Sequence, residues 1–259
     1  MIQKEKDGIV YFEFEHLAKT DLVNHCFSSR IGGVSQPPYD SMNLAYHMGD
    51  NKKDVDENFK RMSKVVRFDQ QNIIMTDQVH GASYHVVTDL TQPKKTDALL
   101  TEFPGLVLTS YYADCVPVLF LDPIKQVIAN VHAGWRGVAA DVTGETLGAM
   151  SRNFGCQLAD ILVGIGPAIS KMHFEVGIDA IEVLGRRFQL SEPHVTQKSA
   201  QKWHVDLKGM LYEQFLKTGV PAENIEVSDL CTFEHPELFY SHRRDGKARG
   251  NMAAMIALK

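Results

Sequence analysis

Apolar residues along this chain recur at two different periods, and the change of period divides it into elements. Between Asp54 and Val66, the residues Val55, Phe59, Met62 and Val66 fall three or four apart with charges between them. That spacing predicts an amphipathic surface helix. A short strand is expected before it, near Val23 to Ser28. Between the two, Gly32-Gly33-Val34-Ser35-Gln36-Pro37-Pro38-Tyr39-Asp40 reads as a loop, because paired glycines and paired prolines interrupt any regular pattern. From Asn72 to Ala133 the texture turns to short apolar runs separated by Gly, Pro, Asp and Lys. Strands are predicted at Ile73 to Met75, Tyr84 to Thr88, Ala98 to Thr101, Leu106 to Ser110, Val116 to Leu121 and Val127 to Val131. The last two are apolar on both faces and belong in the middle of a sheet. Asp122-Pro123-Ile124-Lys125 between them is a tight turn, so they should pair as an antiparallel hairpin.

Downstream, one helix is predicted from Gly137 to Phe154, stopping before Gly155. A strand at Ile161 to Ile165 runs into Gly166-Pro167. Helices follow at Ile178 to Phe188 and Leu207 to Leu216, with closing strands at Ile225 to Val227 and Met252 to Leu258. Strands come in runs, interrupted by helices without strict alternation. The expected fold is therefore α+β, an α/β layered arrangement of mixed β-sheets flanked by helices. No proline- or serine-rich linker divides the chain, so residues 1–259 are expected to form a single domain.

Composition narrows the function classes. At 259 residues and 44% hydrophobic content the chain can bury a full core. Its formal charge of -5 argues against binding nucleic acid by bulk attraction, although a local basic pocket could still hold phosphate. The N-terminal residues lack the apolar stretch of a secretory leader, and no apolar run is long enough to span a bilayer. Cys26, Cys115, Cys156 and Cys231 lie far apart with no CxxC pair, which suits thiols in a cytoplasmic protein better than a disulfide framework.

Three segments place metal-capable side chains at strand ends: Gln78-Val79-His80-Gly81, Asp114-Cys115-Val116-Pro117 and Val131-His132-Ala133-Gly134-Trp135-Arg136-Gly137. Cys115 opens one strand of the predicted hairpin and His132 closes the other, so the two are candidate neighbours. His80 could complete the group. Thiolate and imidazole suit zinc, and three protein ligands would leave a fourth position open for chemistry. Two alternatives stay open at this point. Cys115 and His132 could instead form a metal-free nucleophile and base. A structural metal closed by a fourth ligand such as Cys231 or His47 would make the protein a binding module. The glycines around Trp135-Arg136, with the helix expected after them, suggest an anion near Arg136. Arg30, before the Gly32-Gly33 loop, and Arg243, beside Arg244 and Asp245, have the fork geometry for phosphate or carboxylate. The histidines His16, His25, His47, His85, His173 and His204 show no evident partner and read as structural.

Together these segments resemble the laccase-domain, or multicopper polyphenol oxidase-like, family of purine nucleoside phosphorylases. The resemblance runs from Ser28-Ser29-Arg30-Ile31-Gly32-Gly33-Val34-Ser35 through Asn43-Leu44, Asp56-Glu57-Asn58, Gln78-Val79-His80-Gly81 and Thr96-Asp97-Ala98-Leu99. It continues through Ala113-Asp114-Cys115-Val116-Pro117-Val118, Val131 to Gly137, Gly166-Pro167, Phe174-Glu175-Val176-Gly177 and Arg243-Arg244-Asp245-Gly246. It implies zinc at His80, Cys115 and His132, with copper as the alternative metal. It further implies phosphorolysis of adenosine, inosine and 5'-methylthioadenosine, adenosine deamination, and small purine nucleosides and phosphate as partners. The residues expected in catalysis are Asp114 and Arg136, and those expected to bind substrate or phosphate are Arg30, Asn43, Gln78 and Arg243. A copper-dependent phenol oxidase and a Cys-His hydrolase are the rival activities. The chain departs from the family at Ala168-Ile169-Ser170-Lys171-Met172-His173, where cysteines are common. It departs again at Lys247-Ala248-Arg249-Gly250-Asn251, which leaves the place of a C-terminal arginine open.

Overall fold

Three apolar cores follow from strands that are buried on both faces. The computed structural model describes residues 1–191 and 193–259. The chain opens with β1 (Ile2–Lys6), β2 (Ile9–Glu13), α1 (Glu15–Lys19) and β3 (Val23–Ser28), then crosses a long loop to α2 (Lys52–Val66). Next come β4 (Ile73–Met75), β5 (Tyr84–Val86), β6 (Ala98–Thr101), β7 (Val107–Tyr112), β8 (Val116–Asp122) and β9 (Val127–Ala133). Two helices, α3 (Trp135–Ala139) and α4 (Val142–Phe154), lead to β10 (Leu162–Ile165), β11 (Glu175–Val176) and α5 (Ile178–Gly185). The chain closes with β12 (Val195–Ser199), β13 (Lys202–Val205), α6 (Leu207–Thr218), β14 (Ile225–Val227), α7 (His242–Asp245) and β15 (Met252–Leu258).

Two mixed six-stranded sheets, in the orders β1-β2-β3-β15-β7-β4 and β14-β10-β8-β9-β6-β5, carry the fold, and β11-β13-β12 form a small third sheet. Side-chain alternation stacks the two large sheets. On β15, Ala253, Met255 and Ala257 pack with Val55, Phe59 and Met62 of α2. Its other face, Met252, Ala254, Ile256 and Leu258, packs with Leu119, Leu121 and Ile128 of the second sheet. Val118, Phe120 and Val131 on the far side of that sheet pack with Leu147, Met150, Leu211 and Phe215 from α4 and α6. The order is helix, sheet, sheet, helices, an α+β architecture of mixed sheets. Asn130 crosses the sheet-to-sheet core. Its amide donates to Leu108 O at 2.9 Å and to Ala254 O at 2.8 Å, so a buried polar residue ties the sheets in register.

The β8–β9 hairpin is antiparallel as its turn requires, and Asp122 Oδ1 accepts from the N–H groups of Ile124 and Lys125 within that turn. The helix expected from Gly137 to Phe154 is instead two. Asp141 adopts a left-handed φ of 66°, and its carboxylate caps α4 by accepting from Gly144 N at 3.1 Å. Apolar periodicity runs straight through this break because Val138 and Val142 are both buried. Among the elements absent from the sequence reading, β2 is short and buried from Ile9 to Phe12, whereas β1 and β12 are solvated. Ile2–Lys6 is an edge strand that is charged along most of its length, and Val195–Ser199 is mostly exposed.

At the start of α1, the buried His25 accepts the Phe14 N–H on Nε2 at 2.8 Å. Burial, reinforced by the nearby His16, lowers its pKa to about 3 from an ordinary 6.5. A folded pKa below the unfolded one means that its stability is complete above pH 6.5 and is lost as pH falls toward 3. His25→Gln keeps an acceptor but removes the proton site. The variant should lose on the order of 1.4 kcal/mol less stability per pH unit than the native chain across that window. Denaturant unfolding at pH 6.5 and pH 5 measures this, and equal slopes would contradict it.

Candidate metal centre

The hairpin register settles which side chains meet. Pro117 pairs with His132, so the odd-numbered residues of β8 share a face with the even-numbered residues of β9. Cys115, two residues before Pro117, therefore emerges on the same face as His132, the face turned toward the first sheet. His80 arrives from the loop between β4 and β5. The carboxylate of Asp97, fully buried just before β6, gathers this loop by accepting three successive N–H groups, from Val79 at 3.2 Å, His80 at 3.0 Å and Gly81 at 2.8 Å. Oδ1 of Asp97 also lies 2.8 Å from His132 Nδ1. One carboxylate thus sets both histidines. Their rings stand nearly perpendicular, with centroids 4.7 Å apart.

One donor atom each from His80, Cys115 and His132 falls within 4.8 Å of the others, an arrangement that could hold a metal ion. Among the described residues no fourth His, Cys, Asp or Glu joins this group. Cys231 instead accepts from Ser170 N at 3.2 Å. Close approach explains Gly134: a Cβ there would lie 2.7 Å from His80 Nδ1 and 3.2 Å from the Cys115 sulfur. Two backbone conformations that disfavour side chains occur at the same place, with φ of 58° at His80 and 93° at Asp114.

Electrostatics favour a thiolate. Burial alone would raise the Cys115 thiol, but the facing His132 and His80 bring it down to about 6. Burial likewise opposes protonation of His132, and the Cys115 sulfur together with Asp97 outweighs it and lifts the imidazole to about 9. Asp97 resists its own burial through the bonds from His132 and from the Gly81 N–H, which hold its carboxyl below the usual range. A thiolate beside imidazole, with one side open, is a donor set for a borderline-soft cation.

The three donors sit in a cavity of about 670 Å³. One wall is apolar, with Trp135, Ile169, Phe174 and Leu207, and three arginines, Arg136, Arg243 and Arg249, line the same space. The guanidinium of Arg136 lies over its neighbour Trp135, 4.1 Å from the ring centroid. Arg136 sits in α3, whose five residues make it a single turn rather than the long helix expected. Arg243 donates to His173 O at 3.2 Å and Glu175 O at 2.8 Å. Asp114 reaches the cavity, but its oxygens are taken, one by the Thr232 hydroxyl at 2.7 Å and the other by the Arg243 N–H at 2.7 Å. Gln78 also lines it while binding both the N–H and the carbonyl of Tyr111 at 3.0 Å.

Arg30 and Asn43 lie outside the cavity lining. Arg30 pairs with Asp40 at 3.1 Å and covers the Tyr240 ring. Asn43 is buried and accepts from the N–H groups of Ala45 and Asn251. Sequence reasoning gave no role to two residues that shape the site, Asp97 and Arg249. Asp97 stood in a recognised segment, and an acid immediately before a buried strand was the available signal. His47, read as structural or as the fourth ligand of a structural metal, lines the cavity but does not join the three-donor group.

With this geometry in view, similarity to known proteins is informative. The family model for multi-copper polyphenol oxidoreductase laccases matches residues 24–259. Purine nucleoside phosphorylase YfiH of Shigella flexneri is 38% identical over 237 residues, covering 90% of this chain and 93% of that protein. Purine nucleoside phosphorylase YlmD of Bacillus subtilis is 32% identical over 246 residues, covering 90% and 87%. The crystal structure of YlmD from Geobacillus stearothermophilus superposes with a TM-score of 0.92 at 31% identity, over 99% of this chain and 98% of that one. The chain belongs to the laccase-like family whose curated members carry the name purine nucleoside phosphorylase.

Proposed function

We propose that this protein is a cytoplasmic purine nucleoside phosphorylase whose metal is zinc, held by His80, Cys115 and His132. The observation that carries this reading is the position of a three-donor cluster in a cavity that is apolar on one wall and lined by guanidinium groups. One thiolate, two imidazoles and an open fourth side match the donor count of catalytic zinc and fall one short of a closed structural site. When bound, zinc supplies Lewis-acid polarisation of a substrate oxygen and holds Cys115 as thiolate.

The chain's own residues supply the rest. Asp97 accepts the His132 Nδ1 proton and leaves Nε2 as the ligand atom, the orienting role common around metal-bound imidazole. Trp135 and Phe174 offer ring surface for a purine. The arginines along the cavity hold phosphate and stabilise charge as its oxygen attacks the anomeric carbon of ribose. In that step a C–O bond forms to phosphate, the C–N bond to the base breaks, and the base departs with the bonding electrons and takes up a proton. Asp114 places Arg243 through its N–H, while Gln78, Arg30 and Asn43 hold the loops around the site. Adenosine, inosine and 5'-methylthioadenosine are the substrates we assign, with adenosine deamination as a second activity of the same centre. Copper-dependent phenol oxidation is the weaker alternative. Reduction of dioxygen by such oxidases uses several coppers, and among the described residues one cluster of His, Cys, Asp or Glu has metal-holding geometry.

Purified, zinc-loaded protein incubated with inosine and phosphate should release hypoxanthine and ribose 1-phosphate. No base release from inosine or adenosine with zinc verified as bound would remove this reading. Cys115→Ala should lose metal and turnover together, since two imidazoles alone hold zinc weakly. In the native chain, thiol alkylation of Cys115 should be slow until a chelator strips the metal. Rapid alkylation of the loaded protein would instead move the assignment to a Cys-His hydrolase.

A further inference from the structure

The cavity contains a polar feature that the three-donor cluster does not use. Of the arginines lining it, Arg136 lies over Trp135 and Arg243 is bonded to two carbonyls. Arg249 differs: its Nε is buried with no hydrogen-bond partner. Two residues on, the side chain of Asn251 is 6% exposed, and its Oδ1 is also buried without a partner. Both residues line the cavity.

The local backbone fixes this pair. A Cβ on Gly250 would lie 2.5 Å from the Tyr240 ring and 2.9 Å from Asn43 Cβ, so this residue is pressed against that side and must be glycine. The backbone of Asn251 is held on both polar atoms, its N–H by Asn43 Oδ1 at 3.0 Å and its carbonyl by the N–H of Leu44 at 3.1 Å. Acidic neighbours that could neutralise Arg249 are already engaged. Asp114 is occupied by Thr232 and Arg243 N–H, and Asp245 by Arg244 Nε and Nη2 and the Ser241 N–H. A cation and an acceptor left unsatisfied at 249 and 251 are a cost to the fold unless a ligand completes them.

We infer that Arg249 and Asn251 form the subsite for the phosphate co-substrate, with a charged oxygen on the Arg249 guanidinium and the P–OH of hydrogen phosphate donating to Asn251 Oδ1. This rests on the phosphorolysis reading and deepens it. It moves the principal anion contact from Arg136, the sequence-based candidate, to Arg249. The nucleoside base is left to the Trp135 and Phe174 wall, so the ribose lies between base and phosphate, beside His80, Cys115 and His132. The partner chemistry is a tetrahedral oxyanion that carries at least one proton.

Inorganic phosphate titrated into the metal-loaded protein by calorimetry, without nucleoside, reads this site separately from turnover. Arg249→Gln should weaken phosphate binding by about tenfold or more, the loss expected for one charge-assisted bond. Arg249→Lys should recover part of it, and Arg136→Gln should cost less affinity than Arg249→Gln. Metal content and thermal melting of each variant show whether the fold and centre are intact. If Arg249→Gln does not fold, Asn251→Ala provides the same readout with a smaller change, and its phosphate affinity should also fall. Unchanged phosphate affinity in the folded variant, or a larger loss in Arg136→Gln, would overturn the inference. In the steady state, Arg249→Gln should raise KM for phosphate and leave KM for inosine unchanged. Phosphorolysis with an unaltered phosphate KM would sink the subsite while sparing the function. Arg249-dependent phosphate binding in a protein with no phosphorolysis would do the reverse. Inosine 5'-monophosphate separates the two sources of phosphate. Nucleotide binding that is tighter than free phosphate and is lost in Arg249→Gln would replace the co-substrate with a nucleotide.

Discussion

A single buried carboxylate, that of Asp97, organises the candidate centre. Its two oxygens accept three consecutive backbone N–H groups and face the ring nitrogen of His132. The loop bearing His80 and the strand bearing His132 are therefore positioned by the same group. A buried carboxylate without partners would be costly, and here every partner that offsets its burial also orients a metal-binding residue. Removing the side chain would free a loop and an imidazole together.

The rest of the fold serves that arrangement. Antiparallel pairing of β8 with β9 puts Cys115 and His132 on one face of the second sheet, and Asn130 ties that sheet to Leu108 and Ala254 of the first. Gly134 lets the chain turn into α3 without displacing His80 or Cys115. Left-handed backbone at His80 and Asp114 is tolerated because hydrogen bonds on both sides determine it: the His80 N–H goes to Asp97, and the Asp114 carbonyl takes the Ile169 N–H. Of the non-glycine residues with left-handed φ, His80 is itself a candidate ligand and Asp114 precedes another, while the rest lie elsewhere in the chain.

Much of this was legible in the amino-acid sequence, for identifiable reasons. Val116 to Leu121 and Val127 to Val131 are apolar on both faces, a pattern that only central strands satisfy, and the turn between them dictated their pairing. Cys115 and His132 could be named from that hairpin, although their parity needed the register. What stayed hidden depends on side chains meeting over long sequence separations. Nothing local marks Asp97 as the acceptor for residues 79–81, and nothing local separates Arg249, left with an unpartnered nitrogen, from Arg30, already satisfied by Asp40. The break at Asp141 was missed because apolar spacing continues across it, whereas the capping bond that makes it is polar.

Asp97 assembles the candidate metal site from a loop and a strand. Zinc affinity of Asp97→Asn, measured by competition with a chelator beside the native chain, tests it most directly. An asparagine retains the volume and can still accept from the loop, but it loses the charge that holds His132 Nδ1–H. The variant should fold and bind zinc roughly 10–100-fold more weakly. A folded variant with native zinc affinity would contradict it.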